Sequence, residues 1–176
     1  MAPTIYCVRH AQGYHNLSIV NHQMHDPLLT AVGEEQCRTL SRTFPDIRSI
    51  GLVVASPMKR TIYTALTTFE PILKEKDLKI IALPELQETS DLPCDTGSPP
   101  EELAKEFENK PVDLSLVKSG WDSKKAKWAP NAPAIERRAR DARQWLMARP
   151  ESNIVVVSHG MSTLQQHHQT TETELI

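Results

Sequence analysis

Side chains suited to phosphate chemistry stand after four short apolar runs of the sequence. In chain order they are Arg9 and His10, Arg60, Glu85 and Glu88, and His159. Arginine is always cationic, and its planar fork of N–H donors matches the oxygens of a phosphate group. Arg9 and Arg60 are therefore candidates for holding a phosphoryl group, and they supply positive charge without a metal ion.

The remaining side chains of this set suit the other roles in phosphoryl transfer. A neutral imidazole beside the two cations can attack phosphorus and form a phosphohistidine, which divides one difficult displacement into two easier ones. His10 is the candidate nucleophile, and His159 could donate to the phosphoryl oxygens as negative charge spreads over them. A carboxylic acid must protonate the leaving alcohol oxygen and then recover its proton from water. Glu88 and Glu85 both suit that role.

The elements that must position these residues alternate between strands and helices. The predicted strands are Thr4 to Val8, Leu52 to Ala55, Leu78 to Leu83 and Asn153 to Val157. The predicted helices are one from the N-cap Thr30 to Pro45, one over Lys59 to Lys76 that Pro71 bends or restarts, a short one with Ser98 as its N-cap, and one over Ala132 to Ala148. The stretches Glu88 to Pro100 and Lys110 to Pro133 are predicted surface loops. This alternation predicts a layered α/β domain with a mostly parallel sheet, whose strand ends meet along one edge.

The composition is typical of an ordinary globular protein. The 176 residues suit one domain over 1–176, with 39% hydrophobic and 24% charged residues and a formal net charge of -2. No long basic run indicates nucleic-acid binding, no apolar run approaches membrane-spanning length, and the N-terminus lacks a secretory pattern. We expect a cytoplasmic protein that binds neither nucleic acids nor membranes.

Cysteines and loop histidines offer other kinds of chemistry. Cys7, Cys37 and Cys94 are widely spaced and odd in number, which predicts free thiols. A nucleophilic Cys7 is an alternative to His10, although a buried strand cysteine is the commoner outcome. The other histidines match no zinc spacing, so no metal ligand is predicted; they are His15, His22, His25, His167 and His168.

The stretch Val8-Arg9-His10-Ala11-Gln12-Gly13-Tyr14-His15-Asn16 resembles the opening signature of the histidine phosphatase superfamily. The resemblance continues, in the order of the family, at Leu29 to Gln36, Ala55 to Thr61, Leu86 to Glu88 and Val157 to Gly160. Each motif is weak alone, but five in the right order are specific. The sequence is most similar to fungal phosphoglycerate-mutase-like phosphatases, in which alanine replaces the glycine of the opening triplet, as Ala11 does here.

This resemblance implies a three-layer α/β sandwich of the phosphoglycerate-mutase-like kind. It implies that His10 is phosphorylated, that Arg9, Arg60 and His159 form the phosphate pocket, and that Asn16 adds a phosphate contact. Glu88 matches the proton donor of the family better than Glu85. The sequence departs from the family after Gly160, where a polar tail at about 161–176 replaces an apolar helix and further chain.

The function expected from these observations is hydrolysis of a small phosphorylated metabolite through a phosphohistidine, without metal or cofactor. No lid that would protect the phosphoenzyme of a mutase is evident, which favours a phosphatase. The polar tail keeps an alternative open: a catalytically weak member used as a binding or regulatory protein, or recruited to non-phosphate chemistry. The two predicted loops, Glu88 to Pro100 and Lys110 to Pro133, should form the rim of the pocket. Four residues of the second loop could contact a ligand or simply pack or stay solvated: Trp121, Lys124, Lys125 and Trp128.

Overall fold

A parallel β-sheet is the framework of the protein. The structure, a computed structural model, describes residues 2–160 and the backbone of 173–175. Within those residues the strands are β1 (Thr4–Arg9), β2 (Leu52–Ala55), β3 (Ile80–Ala82), β4 (Val112–Asp113), β5 (Asn153–Ser158) and β6 (Thr173–Leu175). They form a six-stranded sheet in the order β4-β3-β2-β5-β1-β6, with every neighbouring pair parallel. The predicted parallel sheet is confirmed.

The four predicted strands are present, and two further strands go beyond the prediction. β2 has the predicted bounds, β1 and β5 each extend one residue further, and β3 is confined to three residues. β4 lies in the segment predicted as a surface loop, so the sequence prediction is wrong at Val112–Asp113. β6 lies in the polar tail, for which no element was predicted. Strands of two or three residues are too short to show the periodicity from which a strand is predicted.

The α-helices within residues 2–160 are α1 (Ala31–Thr43), α2 (Lys59–Thr68), α3 (Glu70–Glu75), α4 (Pro100–Glu106) and α5 (Ala132–Met147). The predicted N-cap of α1 is confirmed, because the Thr30 hydroxyl accepts a hydrogen bond from the Gly33 N–H at 3.1 Å. The predicted restart at Pro71 is also confirmed, because this proline lies in the first turn of α3, directly after α2 ends.

Ser98 does not cap α4, so that prediction is wrong. Pro99 occupies the N-cap position, and the buried Ser98 hydroxyl instead donates to Asp26 Oδ2 at 2.8 Å. The Ser98 N–H donates to the same oxygen, and the Lys59 N–H donates to Asp26 Oδ1, both at 3.0 Å. Asp26 thus ties the loop before α1 to the start of α2 and to the loop before α4.

The sheet is covered on both faces, which gives the three-layer arrangement. The core on one face contains side chains of β2, β5 and helices α2 to α4, among them Val53, Val155, Ile62, Phe69, Ile72 and Leu103. The core on the other face contains side chains of the same strands and of α5, among them Val54, Val156, Ala142 and Leu146. Because successive strand residues point to opposite faces, the central strands are apolar throughout.

The N-terminal end of α1 holds the loop that follows β1. The Thr30 N–H donates to Gln12 O at 3.0 Å, the Thr30 hydroxyl donates to Gln12 Oε1 at 2.8 Å, and the Gln12 N–H donates to Gln36 Oε1 at 2.9 Å. A Cβ atom on Gly33 would lie 2.1 Å from Gln12 O, so only glycine allows this close approach. Since the loop begins directly after His10, α1 fixes the backbone beside that residue.

Three further predictions concern the chain as a whole. The three cysteines are free and buried, as predicted. Within the described residues, no helix is both long enough and apolar enough to span a membrane. The organisation as one domain with a distinct tail over 161–176 stays a prediction, because 161–172 lie outside the described residues, as do His167 and His168.

The close approach at Gly33 predicts an unusual mutational effect. Alanine is normally the better helix former, but in Gly33→Ala the new methyl group must push the Gln12 carbonyl away. We expect a loss of about 1–3 kcal/mol in the free energy of unfolding, measured by urea denaturation. Val32→Ala, one residue away on the exposed side of α1, is the matched control and should change stability by less than about 0.5 kcal/mol. A Gly33→Ala protein as stable as the wild type would contradict this packing.

Candidate active site

The register of three neighbouring strands brings the candidate residues to one edge of the sheet. β5 lies between β2 and β1, with Arg9 paired to Ser158 and Ala55 paired to Val157. The residues that follow these strands stay aligned, because the His10 N–H donates to Ser158 O at 2.9 Å and the Ser56 N–H donates to Val157 O at 3.0 Å. The loops after all three strands therefore meet around the residue after Ser158, which is His159.

His10 is a buried imidazole with one nitrogen engaged by the backbone. Its side chain is only 6% exposed, and Nδ1 lies 2.8 Å from the carbonyl oxygen of Ala11. A carbonyl oxygen only accepts hydrogen bonds, so Nδ1 carries the hydrogen and the lone pair lies on Nε2. Burial, and then the nearby Arg60 guanidinium, hold the pKa of His10 well below its usual range. The ring is therefore neutral and has a free nitrogen that can act as a nucleophile.

Arg60 lies in the first turn of α2 and is fully buried. Its Nη1 donates to Cys94 O at 2.6 Å, and its Nη2 donates to Asp95 Oδ1 at 3.2 Å. Nη2 also lies 3.3 Å from Nδ1 of His159, whereas Nε has no hydrogen-bond partner in the described part of the chain. The guanidinium is thus held between the loop after β3 and the end of β5.

His159 is a second neutral imidazole of the site. Its ring lies 5.3 Å from the His10 ring, centroid to centroid, in an edge-to-face arrangement. Because Arg60 can only donate, Nδ1 of His159 is the acceptor in their contact, and the hydrogen lies on Nε2, which is 3.1 Å from Ser56 Oγ. Burial, followed by the Arg60 charge, lowers the pKa of His159 well below its usual range.

The two candidate proton donors lie in different surroundings. Glu88 Oε2 is 3.8 Å from both Arg60 Nη2 and His159 Nδ1, so this carboxyl belongs to the same cluster. Burial raises the pKa of Glu88, and the nearby Asp95 charge adds to that effect. Glu85 instead forms an ion pair with Lys127 at 2.6 Å. The structure therefore brings Glu88, and not Glu85, to the histidines.

The backbone that carries Glu88 is held on both sides. Arg138 of α5 donates from Nη1 to Gln87 O at 3.0 Å, and Lys124 donates from Nζ to Glu88 O at 3.0 Å. The Gln87 amide in turn donates to Trp121 O at 2.7 Å. Burial, followed by the Arg138 charge, lowers the pKa of Lys124 to about 8. Lys124 thus lies beside the cluster.

The other rim residues are placed differently from one another. Trp121 is a core residue with 1% exposure, and Lys125 is exposed. Trp128 is half-buried, with the Lys127 ammonium 4.8 Å from its ring centroid.

Arg9 and Asn16 lie at the border of the cluster. The Arg9 side chain is exposed and runs beside Gly160, where a Cβ atom would lie 3.0 Å from Arg9 Nε. The Arg9 charge is close enough to contribute to the lowered pKa values of His10 and His15. Asn16 is exposed, and its Oδ1 accepts a hydrogen bond from the Gly13 N–H at 2.9 Å. This contact shapes the loop after β1.

Asp95 contacts Arg60 and the His15 ring packs beside His10, but the sequence predicts neither residue as part of the phosphate site. Asp95 is an ordinary loop acid in a stretch predicted to form the rim, and nothing in the spacing marks it as the partner of Arg60. His15 lies inside the opening motif, one residue before Asn16, which is the signal that could have drawn attention to it. Ser56 directly follows β2, and only the fold shows its contact with His159.

Neither a metal site nor a nucleophilic Cys7 receives support from the described residues. No group of three or more His, Cys, Asp or Glu side chains that could hold a metal ion occurs within the described part of the chain. Burial raises the pKa of the Cys7 thiol to about 11, so this residue is protonated and unreactive at neutral pH.

The buried neutral imidazoles predict that the protein loses stability in mild acid. Each of His10, His159 and His15, the last with its pKa lowered to about 4, takes up a proton on unfolding below about pH 6.5. Stability is therefore present above pH 6.5 and falls toward pH 4, by up to about 1.4 kcal/mol per pH unit for each histidine. The raised pKa values of Asp26 and Glu88 act in the opposite sense.

Urea denaturation between pH 7 and pH 5 measures this slope. In His159→Gln, which can still accept from Arg60 and donate to Ser56, the slope should be smaller by up to about 1.4 kcal/mol per pH unit, with the full difference reached below about pH 6. Equal slopes for the variant and the wild type would mean that His159 is not a buried neutral group.

Comparison with known proteins adds a family match to this geometry. The family model described as histidine phosphatase superfamily (branch 1) matches residues 5–172. A probable phosphatase of Schizosaccharomyces pombe is 28% identical over 160 residues, which cover 90% of this chain and 74% of the relative. Phosphoglycerate mutase-like protein 1 of Arabidopsis thaliana is 28% identical over 191 residues, covering 89% of this chain and 68% of the relative.

Solved structures show the same fold. The phosphoglycerate mutase of Bacillus anthracis superposes with a TM-score of 0.63 at 20% sequence identity, covering 99% of this chain and 83% of that structure. The alpha-ribazole phosphatase of Shigella flexneri gives a TM-score of 0.54 at 23% identity, covering 88% of this chain and 73% of that structure. The predicted phosphoglycerate-mutase-like architecture is confirmed.

Proposed function

Because the chain belongs to the histidine phosphatase superfamily, with the phosphatase- or mutase-like function that this membership indicates, we propose that it hydrolyses phosphomonoesters through a phosphohistidine on His10. The proposed substrate is a small phosphorylated metabolite, and neither metal nor cofactor takes part. The observation that supports this proposal most directly is the His10 ring itself: it is buried and neutral, its Nδ1–H is held by Ala11 O, and Nε2 is available. The predicted cytoplasmic location stays a prediction.

In the first proposed step, His10 Nε2 attacks phosphorus and the bond between phosphorus and the ester oxygen breaks. The leaving oxygen takes the proton of Glu88, whose raised pKa favours the protonated form. Arg60 and Arg9 compensate the charge of the phosphoryl oxygens, with Asn16 as a further contact. His159 donates from Nε2, which requires sharing its hydrogen between Ser56 Oγ and a phosphoryl oxygen.

In the second proposed step, water attacks the phosphorus of the phosphohistidine. Glu88, now a carboxylate, takes a proton from that water, and the bond between phosphorus and Nε2 breaks. Inorganic phosphate leaves, and both His10 and Glu88 return to their starting protonation states. Hydrolysis rather than mutase activity is proposed because no segment of the described chain is identified that would close the site against water.

The nucleophile is tested by replacing His10. We expect His10→Ala to lower kcat/KM for para-nitrophenyl phosphate by about 10³-fold or more, because without the imidazole the first displacement has no nucleophile and no phosphohistidine can form. His22→Ala, which removes a partly exposed histidine of a nearby loop, is the matched control and should retain activity. Rapid quenching should trap phosphate on His10 in the wild type. Equal, negligible rates of hydrolysis for the wild type and His10→Ala would exclude the proposed phosphatase function.

The role of Glu88 as proton donor is tested by removing the negative charge of Asp95 beside it. The Asp95 carboxylate helps to raise the pKa of Glu88, so Asp95→Asn should lower that pKa. Since the first step needs protonated Glu88, the alkaline limb of the pH profile of kcat/KM should move to lower pH. Asp91→Asn, an exposed acid in the same loop, is the control. If the alkaline limb of kcat/KM in Glu88→Gln is the same as in the wild type, Glu88 is not the general acid.

A second candidate function rests on the contact between Arg60 and Asp95. The carboxylate of Asp95 lies 3.2 Å from the guanidinium and occupies a donor that a phosphate would use. This favours a catalytically weak member that serves as a binding or regulatory protein, or one recruited to non-phosphate chemistry. The His10→Ala comparison separates the two, because a large loss of activity on mutation excludes the weak member.

A further inference from the structure

His15 is a buried titratable group to which the proposed mechanism assigns no role. Its side chain lies in the short 3₁₀ turn Tyr14–Asn16 and is 7% exposed. The His15 ring lies 5.4 Å from the His10 ring, centroid to centroid. The His10 ring thus has two imidazole neighbours from different parts of the chain: His159 directly follows β5, whereas His15 lies in the loop after β1. Three imidazoles therefore stand together.

The surroundings of His15 fix where its hydrogen lies. A Cβ atom on Gly13 would lie 2.8 Å from both Nδ1 and Cε1 of His15, so this edge of the ring lies against the Gly13 backbone. Nδ1 is buried and has no hydrogen-bond partner among the described residues. A buried N–H without an acceptor is rarer and costlier than an unused lone pair, so the hydrogen of the neutral ring belongs on Nε2.

The ring also lies within the electrostatic field of the phosphate cluster. After burial, the Arg60 charge is the largest contribution to the lowered pKa of His15, which is about 4, and Asp95 acts in the opposite direction. His15 is therefore an uncharged N–H donor at neutral pH. A neutral donor can be added beside two arginines without the repulsion that a third cation would meet.

We propose that His15 is a third phosphate-binding imidazole, which donates a hydrogen bond from Nε2 to an oxygen of the phosphoryl group bound at His10. This inference rests on the proposed function, because it places the phosphoryl group beside that ring. It assigns a purpose to Gly13: the absent side chain leaves room for the Nδ1 and Cε1 edge of the His15 ring against the loop backbone.

The test uses the full chain, labelled with ¹⁵N in its histidines, and titration with inorganic phosphate or vanadate. We expect the Nε2 signal of His15 to shift on binding, together with that of His10. If the His10 signal responds and the His15 signal does not, the inference is wrong and the proposed function stands. If phosphate and vanadate move none of the site signals, the proposed function fails as well.

Inhibition by phosphate in variants gives a second measurement, which would not change if His15 had a purely structural role. His15→Phe keeps a ring of similar shape but has no N–H, and should weaken inhibition by phosphate and raise KM by about tenfold or more. His22→Phe in the neighbouring turn is the matched control. Gly13→Ala, which displaces the ring without removing it, should weaken phosphate inhibition in the same direction. Unchanged phosphate inhibition in a folded His15→Phe protein would overturn the inference.

Discussion

Burial of the Arg60 guanidinium is the interaction on which the rest of the site depends. A fully buried charge is costly unless it is paired and hydrogen-bonded, and here Cys94 O and the Asp95 carboxylate supply the pairing. Burial of the rings is the largest cause of the lowered pKa values of His10 and His159, and the charge of the cation lowers them further. A guanidinium suited to phosphate thus also helps to keep the imidazoles neutral, and only a neutral imidazole can attack phosphorus.

The strand order explains why this cation reaches both histidines. β5 is inserted between β2 and β1, so the residue after β5 stands between the loop that leads to Arg60 and the loop that begins at His10. Arg60 lies in the first turn of α2, where a cation gains nothing from the helix dipole. Its placement is therefore explained by partners outside the helix. Backbone hydrogen bonds beyond the strand ends, such as that from the His10 N–H to Ser158 O, maintain the alignment.

Much of this arrangement could be predicted, because apolar runs and side chains suited to phosphate can be recognised locally in a sequence. Strands β1, β2 and β5 and the N-cap Thr30 follow from such traces, and the strand ends then place His10, Arg60 and His159 together. What could not be predicted depends on contacts between distant segments. Asp26 and Asp95 are loop acids without a motif, and their roles appear only when Ser98 or Arg60 is brought to them. β4 and β6 are too short to have a period, so pairing with a neighbour defines them.

In the proposed mechanism, the two carboxyl groups of the cluster would connect substrate binding to proton transfer. Asp95 is hydrogen-bonded to Arg60, whereas Glu88 lies 3.8 Å from that guanidinium and has its pKa raised by burial and by Asp95. A bound phosphoryl group would bring further negative charge to the same cation, and like charge favours the protonated form of a carboxyl group. Substrate binding at His10 would therefore itself help to protonate Glu88. The Arg60 and Lys124 charges oppose this shift, which in the proposed mechanism would allow Glu88 to act as a carboxylate toward water once the alcohol has left.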